Sequence, residues 1–191
     1  MKRRSFVTAL CCAAAVALGA FAHPLVAQGP VTTVIVVRHA EKAAQPANDP
    51  PLTAEGRARA QALAVTLESA DVSAVITTQF ARTKETAAPT AEEFHLTPAV
   101  VPASSPIADH ARAVAAAVMQ HAGGTVLVVG HSNTAAAIVA ALGAKRPAEV
   151  CDAEYDAMFV VTVRPGGHAS VIKAHYGKAT PVAAGCGNTM K

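Results

Sequence analysis

Between residues 32 and 130 short β-branched runs alternate with longer stretches of helical periodicity, and this alternation constrains the fold more than any other feature of the chain. Strands separated by helix-length segments are joined by crossovers and lie parallel, with the helices covering the sheet. "TTVIVV" reads as the first strand. After the Pro-rich stretch "AAQPANDPP", Thr53 is expected to cap a helix running to about Ala70, in which Ala60, Leu63, Ala64 and Leu67 form one apolar stripe. "VSAVITT" is the second strand, followed by a helix from about Ala81 to Phe94 that Pro89 should kink or interrupt. "TPAVVP" is a short third strand, Ile107 to His121 a helix with Asp109 near its start, and "GGTVLVVG" a fourth strand apolar enough to be central. A helix from Thr134 to Leu142 follows, ended by Gly143 and Pro147. The pattern then changes, because "YDAMFVVTV", "RPGG" and "HASVIKAHY" carry the signature of a β-hairpin. The expected fold is α/β, a three-layer sandwich with a mostly parallel central sheet and a C-terminal β-hairpin, in one domain over residues 30–191.

Residues 1–27 read differently. Lys2, Arg3 and Arg4 precede an apolar run from about Phe6 to Phe21, and small residues offer cleavage after Ala22 or Ala27. This is the pattern of an export signal; the alternative is an uncleaved membrane anchor, although the run falls short of the roughly 20 residues that span a bilayer. Arg3-Arg4-Ser5-Phe6 also resembles the twin-arginine export pattern. Removing the signal takes three basic residues and no acidic one, which brings the 16 Lys and Arg level with the 13 Asp and Glu. The remaining chain is formally neutral and poor in aromatics, so nothing points to nucleic acid as a partner. No stable membrane span is expected after cleavage, and the working protein is expected to be periplasmic or secreted. Cys11 and Cys12 leave with the signal; in an oxidising compartment Cys151 and Cys186 are expected to form one disulfide that ties down the C-terminal tail. No Cys or His spacing suggests a metal site.

In open α/β sheets ligands bind beyond the carboxyl ends of the strands. The first strand ends in Arg38-His39, the second leads through "TTQFARTKET" to Arg82, and the fourth ends in Gly130-His131-Ser132-Asn133. Two arginines and two histidines should therefore converge on one crevice. Guanidinium groups present planar donors suited to phosphate oxygens, and an imidazole can attack phosphorus or donate to oxygen. The set looks like a phosphoryl-transfer pocket.

The stretches "VVRHAEK", "LTAEGRARAQALA", "ITTQFARTKETA" and "VLVVGHSNT", in this order, resemble the histidine phosphatase superfamily, its phosphoglycerate-mutase-like group, and "EYDAMFVVTV" looks like a further match. The chain departs from the commonest family form in having Ala40 where Gly usually follows the first His. The resemblance implies that His39 is the nucleophile and is phosphorylated during turnover. It implies that Arg38, Arg82 and a protonated His131 surround the transferring phosphoryl group, with Asn133 either orienting a phosphate oxygen or capping a helix. No cofactor and no metal are implied. The substrate would be a small phosphorylated molecule or a phosphohistidine protein.

A poor leaving group needs a proton, and the residues that usually supply it in the family are missing here: Ser132 stands where one branch has Asp, and "PASSPIADHAR" holds no Glu. Asp109 and Glu41 are the candidates, each with an ordinary reading beside it, as a helix cap or as an ion-pair partner. Two other functions fit parts of the chain. An inactive member of the same fold would bind a phosphorylated ligand through the same pocket. A serine hydrolase would use Ser132 on a nucleophile elbow, with Asp152 or Asp156 and then His168 or His175, but would leave Arg38, His39 and Arg82 unexplained.

Overall fold

The computed structural model describes residues 29–180; the expected export signal and Cys186 lie outside them. Its elements are β1 (Thr32–Arg38), α1 (Ala54–Thr66), β2 (Val72–Thr77), α2 (Ala81–Glu93), β3 (Ala99–Val100), α3 (Ile107–Met119), β4 (Thr125–Gly130), α4 (Ser132–Ala141), β5 (Ala157–Val163) and β6 (Ala169–His175). One six-stranded sheet runs in the order β3-β2-β4-β1-β5-β6. β1 to β4 pair in parallel, whereas β5 joins β1 antiparallel and β6 joins β5 antiparallel. The fold is therefore α/β with a mixed sheet and a C-terminal hairpin.

Strand alternation decides what each face buries. Val34, Val36, Ile76, Val126 and Val128 point to one side, where Val114 and Val118 of α3 and Ile138 and Val139 of α4 pack on them. Ile35, Val37, Val75, Leu127 and Val129 point to the other, against Leu63 of α1 and Ala87 and Ala91 of α2. β1 and β4 are covered on both faces, so their runs are nearly all apolar. Each fully buried Val or Leu contributes about 1.5–3 kcal/mol, and together they fix the strand ends that bear Arg38 and Gly130.

The element boundaries show where local signals yield to packing. Thr53 does cap α1, its hydroxyl accepting from Gly56 N at 3.0 Å, but the helix stops at Thr66 rather than near Ala70. The chain must reverse there, and Asp71 takes a φ of +48° to enter β2. Leu67 stays buried although it follows the last helical residue. α2 runs through Pro89 without interruption. β3 is only two residues long, set between Pro98 and Pro102, which have no N–H for a ladder. α4 begins at Ser132, two residues before the expected start, because Thr134 Oγ1 folds back to accept the His131 amide at 3.0 Å. In the hairpin Gly166 and Gly167 hold φ near +85° and +83°, which few side chains tolerate.

Gly56 is required for a different reason. A Cβ there would lie 2.2 Å from the Glu41 carbonyl oxygen, so the bare first turn of α1 lets the segment after β1 lie directly on it. This contact places residues 39–42.

Candidate active site

The carboxyl ends of β1, β2 and β4 share one edge of the sheet, and residues just beyond them line a cleft of about 540 Å³. Arg38, His39, Arg82, His131, Ser132 and Asn133 all line it. The sequence-expected set therefore meets in one place. Asp109 and Glu41 are not among the lining residues.

His39 follows β1 directly, and its amide donates to Gly130 O at 3.0 Å, extending the β1–β4 ladder by one bond. The residue is 4 % exposed. Nδ1 lies 2.8 Å from Ala40 O; a carbonyl only accepts, so Nδ1 carries the proton and Nε2 keeps a lone pair. Burial, and next the charges of Arg38, Arg82 and Lys42, push the His39 pKa down to about 4, although the Ala40 carbonyl works in the opposite direction. His39 is a neutral, oriented imidazole. Ala40 itself is fully buried, packs with Leu52 and Ala60, and donates its N–H to Thr86 Oγ1 at 2.9 Å.

His131 lies beside His39. Burial, then His39, Arg82, His110 and Arg38, push its pKa down to about 3, so it is neutral in the free protein rather than protonated. Its ring stands edge-on to His39 with centroids 5.4 Å apart, and two cationic imidazoles at that separation beside two arginines would repel strongly. Thr78 Oγ1 meets His131 Nε2 at 3.2 Å, a partner the sequence did not single out.

Arg38 is gripped by backbone. Its Nη1 donates to the carbonyls of Cys151 at 2.9 Å, Asp152 at 2.5 Å and Glu154 at 3.5 Å, and its guanidinium lies 4.1 Å from the Tyr155 ring centroid. Arg82 rests on Phe80, 4.2 Å from the ring centroid, and lies 3.9 Å from Asp49, whose carboxylate also accepts the Ala81 amide at 2.9 Å. The loop of residues 43–51 thus supplies the group that steadies Arg82. Half-buried Glu85, one turn beyond Arg82, accepts the Leu52 amide at 2.8 Å.

The remaining expected residues fall elsewhere. Asp109 forms an exposed ion pair with Arg112 on α3, and α3 is capped at Pro106. Glu41 holds buried Arg59 through three contacts of 2.7–3.0 Å. Asn133 is the second residue of α4 and lines the cleft, the cap position being His131. Cys151 belongs to the loop that grips Arg38; Cys186 lies outside the described residues. The elbow triad does not assemble, because β5 descends from the cleft and the Thr32–Val163 pairing puts the turn with His168 at the far edge. His175 pairs with Asp156 at 3.1 Å instead.

Tyr155 and Asp49 went unread in the sequence and Asp152 was read only as a member of the elbow triad, although for Tyr155 and Asp152 a signal existed. An antiparallel strand entering beside β1 starts at the cleft, so the residues before β5 mattered as much as those after β1, β2 and β4. For a metal, Glu154, Asp156 and His175 bring one ligand atom each within 4.8 Å of one another. Lys173, at 2.5 Å from Glu154, and His175 already pair both carboxylates, so the group reads as an ion-pair cluster.

Two neutral buried histidines make stability depend on pH with a definite sign. The unfolded chain holds these groups near 6.5, so it binds more protons than the folded protein between that value and about 3 to 4. The stability present above about pH 6.5 is lost progressively as pH falls toward 4 and then 3. Thermal unfolding should show Tm falling on the acid side, and His131→Asn should flatten that fall. An identical slope in the variant would contradict the buried neutral state.

Residues 34–103 match the model of the histidine phosphatase superfamily (branch 1). No curated protein is similar enough in sequence to count as a relative. Solved structures of this fold include a mycobacterial glucosyl-3-phosphoglycerate phosphatase at 16% identity and TM-score 0.59, covering 76% of this chain and 98% of that one. The protein histidine phosphatase SixA with tungstate gives 18% and 0.59, covering 75% and 96%. Mycobacterial hydrolase 2 gives 18% and 0.57, covering 81% and 94%. At these identities the likeness speaks for the phosphoglycerate-mutase-like fold, while the family match covers Arg38, His39 and Arg82 themselves. Over residues 34–103 the chain is thus similar to the histidine phosphatase superfamily, branch 1, and its fold is the one those solved structures share.

Proposed function

We propose that this protein hydrolyses phosphomonoesters or phosphohistidine through a phosphohistidine intermediate on His39. The observation that carries the reading is the state of His39: neutral, with Nδ1 committed to Ala40 O, in a cleft that also holds Arg38 and Arg82. Nε2 attacks phosphorus, the bond to the leaving group breaks, and the guanidinium groups stabilise the charge spread over the phosphoryl oxygens. Water then attacks the phosphohistidine, releasing inorganic phosphate and restoring neutral His39. Because fixed guanidinium groups neutralise the phosphoryl oxygens, the step needs no metal ion. Asn133 would contact a phosphate oxygen, and His131 would gain its proton only with a bound dianion beside it. The similar folds of SixA complexed with tungstate and of the glucosyl-3-phosphoglycerate phosphatase support an oxyanion cleft of this type.

The same reading puts the working enzyme in the periplasm or outside the cell, with residues 1–27 removed and Cys151 joined to Cys186. Its substrate would be a small phosphorylated molecule or a phosphohistidine protein. Phosphate release from an aryl phosphate in the presence of a chelator, inhibited by vanadate, is the expected result for the purified protein. Binding of vanadate without any phosphate release, from aryl phosphate or phosphohistidine, would instead identify a binding protein.

A further inference from the structure

The cleft contains a carboxylate that neither candidate for the proton donor provides. With Asp109 paired to Arg112 on α3 and Glu41 paired to Arg59, Asp152 is the one carboxylate that lines the cleft among the described residues. It sits in the loop between α4 and β5 and lines the cleft together with Ser104 and Ser105. We propose that Asp152 is the proton donor to the leaving group, held in place by Ser132. The inference rests on the phosphatase reading of the cleft.

Three observations carry it. Ser132 Oγ donates to Asp152 Oδ1 at 2.7 Å, so the residue directly after His131 fixes the carboxyl at the cleft. The second contact, Arg38 Nη2 at 3.8 Å, also falls on Oδ1, which leaves Oδ2 as the oxygen a substrate would meet on a side chain 91% exposed. Finally, Arg38 does not depend on this carboxylate. The backbone carbonyls of Cys151, Asp152 and Glu154 already take its Nη1. The side chain is thus available for chemistry while the main chain of the same residue does the holding.

The step balances as follows. Nε2 of His39 bonds to phosphorus as the bond from phosphorus to the ester oxygen breaks; the carboxylic proton of Asp152 passes to that oxygen, and an alcohol leaves. In the second half Asp152, now a carboxylate, takes a proton from the water that attacks the phosphohistidine. An aryl oxide or an imidazole departs with little help, whereas an alkoxide needs the proton. Ser132 is a positioning residue in this scheme, acting through Asp152.

Wild-type, Asp152→Asn and Ser132→Ala proteins should be compared on glycerol phosphate and on 4-nitrophenyl phosphate. For Asp152→Asn, kcat on glycerol phosphate should fall by about 100-fold or more, the low end of a general acid's contribution, with the nitrophenyl ester changed by less than about threefold. Ser132→Ala should lower glycerol phosphate turnover by about 10-fold, in the same substrate-selective way. An equal loss on both substrates, with weaker inhibition by inorganic phosphate, would show a role in holding Arg38 and overturn the assignment. So would no loss on either, or a wild-type enzyme active on the nitrophenyl ester alone. A wild-type protein inactive on both, and on phosphohistidine, would instead remove the phosphatase reading itself.

Discussion

His39→Ala is expected to abolish phosphate release, lowering kcat on the order of 10⁴-fold or more, the scale seen when an enzyme loses its nucleophile. The variant keeps Arg38 and Arg82, so inorganic phosphate or vanadate should still bind with an affinity within about tenfold of wild type. Arg38 is held by carbonyls of the 151–154 loop and Arg82 by Asp49 and Phe80, none of which His39 supports. The wild type, quenched in alkali during turnover, should carry phosphate on His39, stable to base and released by acid. Turnover by His39→Ala within tenfold of wild type would leave the intermediate without a site and overturn the mechanism. The same variant should also lose part of the acid-side drop in Tm, because one buried neutral imidazole is gone.

The second large effect concerns stability. Arg59 is buried, its side chain 3% exposed, and Glu41 answers it with both carboxylate oxygens. Burial works against the charge, yet the Glu41 carboxylate holds the guanidinium pKa above its ordinary value. Arg59 Nη1 also donates to Tyr176 O at 3.4 Å and Lys178 O at 2.8 Å, tying α1 to the chain after β6. Glu41→Ala would strand the guanidinium without its counter-charge, at a cost of about 3–5 kcal/mol, or a Tm lower by on the order of 10 °C for a domain of this size. A double replacement, Glu41→Leu with Arg59→Met, should recover most of that loss, because the desolvated charge goes with its partner. If Glu41→Ala left Tm unchanged and selectively slowed alkyl phosphates, Glu41 would be the acid and the structural assignment would fail.

Much of the cleft was legible from the chain alone. Arg38, His39, Arg82 and His131 were placed because residues following parallel strands share one edge, and the burial of both sheet faces made those strands recognisable as apolar runs. The helix stripe of Ala60, Leu63, Ala64 and Leu67 was legible for the same kind of reason: 3.6-residue periodicity records one-sided burial. What went unread lay in irregular backbone. Asp49 is one polar residue in a Pro-rich loop, and nothing local says that it accepts the first amide of α2 and lies 3.9 Å from Arg82. Glu41 stands two residues from His39, close enough in sequence to suggest chemistry, yet it turns to a helix partner eighteen positions on.

The sequence by itself determined the strand and helix order, the parallel core of the sheet, the hairpin, and the residue types that meet at its edge, since periodicity and strand termini are local properties of the chain. Tertiary structure alone decided the protonation of His131, which follows from burial beside His39 and Arg82. It also decided which carboxylates are engaged in ion pairs and which one faces the cleft. Desolvation and through-space charge depend on neighbours distant in sequence: Arg38 meets carbonyls more than a hundred residues away, and Asp152 reaches the cleft only because β5 enters antiparallel beside β1.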